Sequence, residues 1–195
     1  MDSSLPTADL GLAQIVEEYR VTGNIGTLFD RIRAVAASAD ADQLARAVRP
    51  FSEMPEVVIP AYEQIIARQP RNAQAMVVLA NAYWLTGRGP DVVGQLVTRA
   101  KSADPRNRGA WHLWALSESD LRKRVDRWTE VARAFPDDQL ARAALADNAV
   151  SLSSAEDDPA ALDLAIKTYE SLLAEATQPA QRIALETTLI ALRKR

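Results

Sequence analysis

The sequence shows no group of side chains arranged for acid, base or nucleophilic chemistry. The chain has 195 residues, no cysteine and one histidine, His112. General-base chemistry at His112 would need a nucleophile beside it, and the sequence shows none nearby. Glu17 and Glu18 are adjacent, and neighbouring residues of a helix point in different directions, so they do not form an acid and base couple. These residues favour a protein without a catalytic site.

Motifs that hold cofactors or metals are also missing. There is no Gly-rich phosphate loop, no Gly-x-Ser-x-Gly elbow and no strand-turn-helix setting for a dinucleotide. A chain without cysteine cannot build a thiolate site, and a single histidine leaves no cluster to hold zinc. We therefore predict no cofactor, no metal and no enzymatic activity.

The charge pattern gives no support to a nucleic-acid partner. With 23 basic and 26 acidic residues the net charge is -3 and the isoelectric point is near 5.3, so the chain lacks an overall positive field. Acidic residues interrupt the basic stretch 122–127, which favours a solvated, partly self-paired face over a phosphate site. The acidic turn at residues 156–158 leaves an alternative open, in which the basic stretch and the acidic turn, being oppositely charged, help two copies of the chain dock.

The composition indicates a folded helical protein. Hydrophobic residues make up 48% of the chain and there are only 7 glycines, while Ala, Leu, Arg, Glu and Gln are abundant and form helices well. The polar N-terminus differs from a secretory signal, and no apolar run approaches the roughly 18 residues of a membrane span. We expect an all-α cytoplasmic protein without membrane insertion, and the Ala- and Arg-rich usage indicates a bacterial source.

Three prolines mark a repeat. Pro70, Pro105 and Pro136 each follow a helical pattern and are separated by 35 and then 31 residues, a period that indicates stacked units. Between the first two lie a helix, a Gly-rich turn and a second helix. Two antiparallel helices therefore form one unit.

This stretch resembles the tetratricopeptide repeat. The matching residues are Met76, Leu79, Ala80, Tyr83, Gly87, Ala100 and Pro105. One extra residue in the turn after Gly87 is needed to keep the family spacing, and the next unit is shorter than the family's roughly 34 residues. The resemblance implies an α-solenoid, a right-handed superhelix of about nine to ten helices in antiparallel pairs.

The repeats suggest how the chain is divided. Residues 1–38 are expected to form an N-terminal helical cap or divergent repeat. Residues 179–195 are expected to form a capping helix whose one main buried face is made by Ile183, Leu185, Leu189, Ile190 and Leu192. Four repeats lie between them, at 39–72, 73–107, 108–138 and 139–178. In the last repeat we predict a long turn at residues 153–159, with Pro159 at the start of the second helix.

The resemblance also implies a binding surface, because the first helix of each pair lines the inner groove in this family. The positions that face it are Gln74, Val77, Asn81, Trp84, Gly109, His112, Ala143 and Asp147. We predict that the partner contacts Gln74, Val77, Asn81, Trp84, His112 and Asp147. Asn81 offers an amide donor and acceptor, and Trp84 offers a large apolar area. Trp111, Trp114 and Trp128 fall on packing positions and are expected to be structural.

Relatives that bind the acidic C-termini of chaperones use a clamp of Lys, Asn and Arg side chains. Only Asn81 matches it, since Val77, Leu113 and Ala144 stand where a Lys, a second Asn and the Arg are needed. We therefore do not predict chaperone-tail binding.

The function indicated by the resemblance is a protein-interaction adaptor or assembly factor that binds a protein or peptide in its concave groove. Three alternatives stay open. The chain is a structural subunit of a larger complex or a homo-oligomer, a small-ligand sensor, or an assembly factor of the cytochrome-maturation type.

Overall fold

The computed structural model describes residues 8–194, and side-chain burial from residue 11 onwards. Residues 1–7, where the predicted N-terminal cap starts, and the final basic residue 195 lie outside the described residues. The described part consists of eleven α-helices, with one 3-10 turn (Arg49–Phe51) and no strand. The helices are α1 (Ala8–Thr22), α2 (Ile25–Ser38), α3 (Ala41–Val48), α4 (Pro55–Arg68), α5 (Ala73–Leu85), α6 (Pro90–Ala103), α7 (Arg108–Leu116), α8 (Leu121–Ala134), α9 (Gln139–Glu156), α10 (Pro159–Glu175) and α11 (Pro179–Leu192).

The predicted all-α fold class is confirmed, with a helix count just above the expected nine to ten. The helices of each half pack against helices that are close to them in the sequence, as expected for stacked helix pairs. In the first half of the chain α1 contacts α3, α2 contacts α4, and α5 packs on α4 and α6. In the second half α9 packs between α8 and α10, and α10 contacts α11.

The chain separates into two compact units, one ending at Leu113 and the other beginning at Trp114. The division falls inside α7, within the predicted repeat 108–138. Each unit has its own buried residues. Those of the first unit include Leu28, Ile32, Leu44, Ile65, Met76 and Val97, and those of the second include Ala146, Tyr169, Leu172, Leu189 and Leu192.

Asparagine and aspartate side chains begin most of these helices. Their oxygen atoms accept hydrogen bonds from backbone N–H groups in the first turn, which would otherwise lack partners. Asp120, for example, accepts from the Lys123 N–H at 2.9 Å and starts α8 directly after a short turn. The other capping residues are Asn24, Asp40, Asn72, Asp138 and Asp158.

The turn between α9 and α10 is shorter than predicted. Helix α9 continues to Glu156, so the turn contains only Asp157 and Asp158 instead of residues 153–159. Ser154 of the predicted turn and Ser151 just before it bond back to the helix, since their hydroxyls donate to backbone carbonyls four residues earlier. Asp157 ends α9 in a left-handed conformation, with φ at 50°.

Two glycines shape the turn between α5 and α6. Gly87 and Gly89 have φ values of 72° and 87°, in a region of backbone conformation that residues other than glycine rarely adopt. Pro90 then opens α6, where its missing N–H costs nothing. The Gly-rich turn that the sequence predicted therefore reverses the chain between two paired helices.

The final helix is buried differently from the prediction. Leu189 and Leu192 are buried against α10, whereas Ile183 is 64% exposed and Ile190 is 56% exposed. These two isoleucines are seven residues apart, so they lie on one side of α11, two turns from each other. Because α11 packs chiefly on α10 among the described helices, that side is left largely uncovered.

None of the helices within residues 8–194 is both long enough and apolar enough to cross a membrane.

Candidate functional site

The first unit contains a groove of about 450 Å³ between α5 and two neighbouring segments. One wall is the chain from the end of the 3-10 turn to the start of α4, and the other is the first part of α7. The lining residues are Ser52, Glu53, Pro55, Val58, Val77, Val78, Asn81, Ala82, Leu85, Gly109, His112 and Leu113. We call this site the α5–α7 groove. Its size and largely apolar lining are typical of binding sites.

Three of the predicted partner-binding residues meet in this groove. Val77 and Asn81 are four residues apart on one face of α5, and His112 reaches the groove from α7. Gly109, which the family pattern also placed there, lies opposite Val77. A Cβ atom at Gly109 would be 3.1 Å from Val77 Cγ1, so the glycine allows α7 to approach α5 closely.

Asn81 is the clearest polar group on the floor of the groove. Its side chain is exposed, and its amide makes no hydrogen bond within the described residues. The amide therefore keeps two donors and an acceptor available for another molecule. One turn further along α5, Leu85 is 69% exposed and adds apolar surface at the mouth of the groove.

Two other predicted residues of α5 do not line the groove. Gln74 accepts a hydrogen bond from the Asn107 side chain at 3.3 Å, so its amide is partly engaged within the first unit. Trp84 is 41% exposed and follows Val77 by seven residues, which places it on the same side of α5, next to the lining residue Leu85. Trp84 thus lies beside the groove and Gln74 lies outside it.

Asp147 belongs to the second unit and contributes to its packing. Its carboxylate accepts a hydrogen bond from the Tyr169 hydroxyl, which links α9 to α10. Burial of the Tyr169 ring and this bond together raise the pKa of Tyr169. Ala143 packs against the buried cluster of the same unit. The sequence-based set of binding residues is therefore divided between the two units.

Several groove residues carried no sequence signal. Ser52 and Glu53 come from the link between α3 and α4, and Pro55 and Val58 come from the start of α4, where the repeat pattern is degenerate. The sequence could have indicated Leu85 as a groove residue. It follows Asn81 by four residues and Val77 by eight, a spacing that keeps all three on one side of a helix.

The tryptophans predicted to be structural are engaged inside their own units. Trp128 is 2% exposed on α8. The Trp111 indole donates to the Pro105 carbonyl at 2.9 Å, and the Lys101 ammonium lies 3.7 Å from the centre of the Trp111 ring. The Arg127 guanidinium covers the Trp114 ring at 4.8 Å.

The basic stretch of α8 and the acidic turn before α10 bond to each other. Arg122 donates to Glu156 at 2.5 Å and to Asp158 at 2.9 Å. Asp158 also accepts from the Ala160 and Ala161 N–H groups. The bond from Ala161, followed by the one from Arg122, lowers the pKa of the Asp158 carboxyl. The two patches are thus used within the second unit, which removes the basis for docking two copies through them.

Arginine side chains engage other helix ends of the second unit. Arg124 and Arg127 donate to the Glu118 and Trp114 carbonyls, at 2.6 and 2.7 Å. The basic stretch of α8 is therefore largely committed to internal bonds.

Within residues 8–194 no group of three or more His, Asp or Glu side chains is arranged to hold a metal ion.

Comparison with known proteins establishes the fold. No protein-family model matches the sequence, and no curated protein matches it. Among solved structures, the chain is similar to TTC0263, a thermophilic TPR (tetratricopeptide repeat) protein of Thermus thermophilus, with a TM-score of 0.55 and 20% identity over 94% of this chain and 99% of that one.

Two further structures show the same likeness. Pseudomonas aeruginosa pilF has a TM-score of 0.64 and 17% identity, over 96% of this chain and 85% of that one. A MamA protein has a TM-score of 0.60 and 12% identity, over 89% of this chain and 98% of that one. At these identities the likeness concerns the fold, a helical repeat of the tetratricopeptide type.

Proposed function

We propose that this chain is a non-catalytic protein-interaction module, an adaptor or assembly factor that binds a segment of a partner protein in the α5–α7 groove. One observation carries the proposal. The groove brings together Val77, Asn81 and His112, which the repeat pattern had marked as partner-facing, around a largely apolar surface. Helical repeats of this type generally serve as binding scaffolds.

The groove suits a peptide segment better than a polar metabolite. Val77, Leu85 and Leu113 offer apolar surface, and burial of apolar area contributes about 25 cal/mol per Å². The Asn81 amide offers both a donor and an acceptor to a backbone that carries both groups. We propose that apolar anchors supply the affinity and that Asn81 holds the partner's backbone in place.

A peptide selection with two matched variants tests the proposal. Peptides selected on the intact chain from a random display library should bind a Leu85→Arg variant at least about tenfold more weakly, because the charge covers apolar surface at the groove mouth. Asn81→Ala should also weaken them. Both side chains are exposed, so circular dichroism should show unchanged folding.

The matched control for this test is Val21→Arg. Val21 is 79% exposed at the end of α1 and does not line the groove. Selected peptides should bind this variant and the intact chain equally. Equal binding to the Leu85 and Val21 variants would refute the groove as the partner site.

The exposed side of α11 favours a second candidate function, a structural subunit that self-associates. Ile183 and Ile190 present apolar surface on one side of the final helix, and such surface often marks an interface. If this side joins two copies, multi-angle light scattering should show a concentration-dependent dimer that the double change Ile183→Glu and Ile190→Glu converts to monomer. A monomer at every concentration tested would exclude this candidate.

A further inference from the structure

We infer that the α5–α7 groove selects a partner segment that carries a positively charged side chain, Lys or Arg, beside an aliphatic one. The inference rests on the proposed function, since it names the partner of the same groove. It comes from the charge on the groove wall, which the repeat pattern does not specify.

The wall contributed by the link between α3 and α4 carries a carboxylate with no partner among the described residues. Glu53 lines the groove and is exposed. Within residues 8–194 it makes no ion pair or hydrogen bond. It also plays no part in capping α4, because that helix begins after Met54 without a side-chain capping bond.

Carboxylates at two other grooves are already bonded. Between α10 and α11, Glu170 accepts from Arg193 at 2.5 Å, and Glu186 lies 3.8 Å from Arg182. Between α4 and α6, Glu63 accepts from the Tyr83 hydroxyl at 2.7 Å. Glu53 differs from these groups because its negative charge remains available to an incoming molecule.

Among the described residues, no lysine or arginine lines the α5–α7 groove. An acidic segment would therefore meet a like charge and find no lysine or arginine to neutralise it, and like charges facing each other disfavour a partner. Val77 and Leu113 line the groove and make part of its surface apolar. The apolar surface is suited to an aliphatic anchor, and Glu53 is suited to a cation beside it.

The carboxylate should act on selectivity more than on total affinity. Exposed ion pairs are weak, although an apolar surround that excludes water strengthens them. Removing the charge should therefore change the affinity of a cationic peptide about two- to fivefold. Reversing the charge should have a larger effect, because attraction is replaced by repulsion.

A parallel selection measures this preference. A random nonapeptide display library is selected on the intact chain, on Glu53→Gln and on Glu53→Lys, with Glu17→Lys on α1 as the matched charge control. Peptides from the intact chain should be enriched in Lys or Arg next to Leu, Ile or Val. Glu53→Gln should remove the enrichment in basic residues, Glu53→Lys should replace it with Asp and Glu, and Glu17→Lys should leave it unchanged.

The outcomes separate this inference from the proposed function. Peptides that are sensitive to Leu85→Arg but show no basic preference, or keep it on Glu53→Lys, would overturn the inference and leave the groove as the partner site. If no selected peptide is sensitive to Leu85→Arg, the groove is not the site, and both conclusions fail.

Discussion

Single residues set the character of the groove where the repeat pattern leaves positions open. Val77 and Leu113 make it apolar, Glu53 makes it acidic, and Gly109 makes it narrow. The family pattern identified Val77, Asn81 and His112 in advance because they follow the helical spacing of a first helix. Glu53 was missed because it lies in a link between helices, where no periodicity fixes which residues face the groove.

Gly109 gives the first prediction at this scale. In Gly109→Ala the new methyl group would lie 3.1 Å from Val77 Cγ1 and 3.3 Å from Asn107 Oδ1, so α7 must move slightly away or Val77 must shift into the groove. We expect weaker binding of the selected peptides, measured by calorimetry. The free energy of unfolding should change by less than about 1 kcal/mol, since the better helix propensity of alanine offsets the crowding. Unchanged peptide affinity would show that the close approach of α7 is unimportant for binding.

Asp158 gives a prediction about pH. The folded chain lowers the pKa of its carboxyl below the ordinary value of 3.8, so its stabilising charge is present at neutral pH and is lost as the pH falls through the folded-state pKa. Asp158→Asn keeps an oxygen that can cap α10 but removes the charge that pairs with Arg122. Urea unfolding should show the variant less stable than the intact chain at pH 6, with a difference that shrinks below about pH 4.

Asp157→Asn is the control for this pH effect. The change is chemically identical one residue away, at the left-handed end of α9, where asparagine is well tolerated. It should not show the same dependence on pH. A stability difference for Asp158→Asn that stays constant from pH 3 to pH 7 would contradict the role of the charge.

At the scale of whole helices, polar caps and prolines made most boundaries readable from the sequence. Pro159 starts α10 as predicted, and the predicted Gly-rich turn separates α5 from α6. The prediction was wrong at the end of α9, because serines that favour turns bond equally well to a helix carbonyl. The prediction was also wrong for one side of α11. Periodicity identifies the apolar positions of a helix, but it does not show whether another helix packs against each of them.

The cap of α5 gives a prediction for a single helix. The Asn72 side chain accepts a hydrogen bond from the Ala75 N–H at 2.9 Å. This bond satisfies a backbone donor at the start of α5, the helix that lines the groove. Asn72→Ala should lower the free energy of unfolding by about 1 kcal/mol, whereas Asn72→Ser, which retains a capping oxygen, should lower it by much less. Urea titrations of the two variants beside the intact chain measure the difference. If both variants lose the same free energy of unfolding, the capping hydrogen bond does not account for the contribution of Asn72 to stability.

At the scale of the whole molecule, each of the two units has its own buried residues, and the described packing contacts join helices near each other in the sequence. Repeat proteins with such local contacts lose stability locally when one layer is damaged. The fold class and the helix pairing were predictable because each pair repeats a recognisable pattern. The boundary between the units inside α7 was not, because that helix carries an ordinary first-helix pattern throughout its length.

A core substitution tests this local behaviour. Leu172 is buried in the second unit, and Leu172→Ala should cost about 2–5 kcal/mol through the lost packing and the cavity left behind. Hydrogen–deuterium exchange read by mass spectrometry should show faster exchange concentrated in α9, α10 and α11, with α1 to α4 much less affected. Uniformly faster exchange in both units would show that the chain unfolds as one cooperative body.

The unequal exposure of the tryptophans gives the chain its own optical reporter. Trp84 is partly open to solvent beside the groove, whereas Trp128 is enclosed in the second unit. A dissolved quencher such as acrylamide reaches an open indole far more readily than an enclosed one, so Trp84 should dominate the quenchable part of the fluorescence. A segment seated in the groove would shield that indole and leave the emission of the other three tryptophans, Trp111, Trp114 and Trp128, as an internal reference. Occupancy of the groove can therefore be followed by intrinsic tryptophan fluorescence, without attaching a dye.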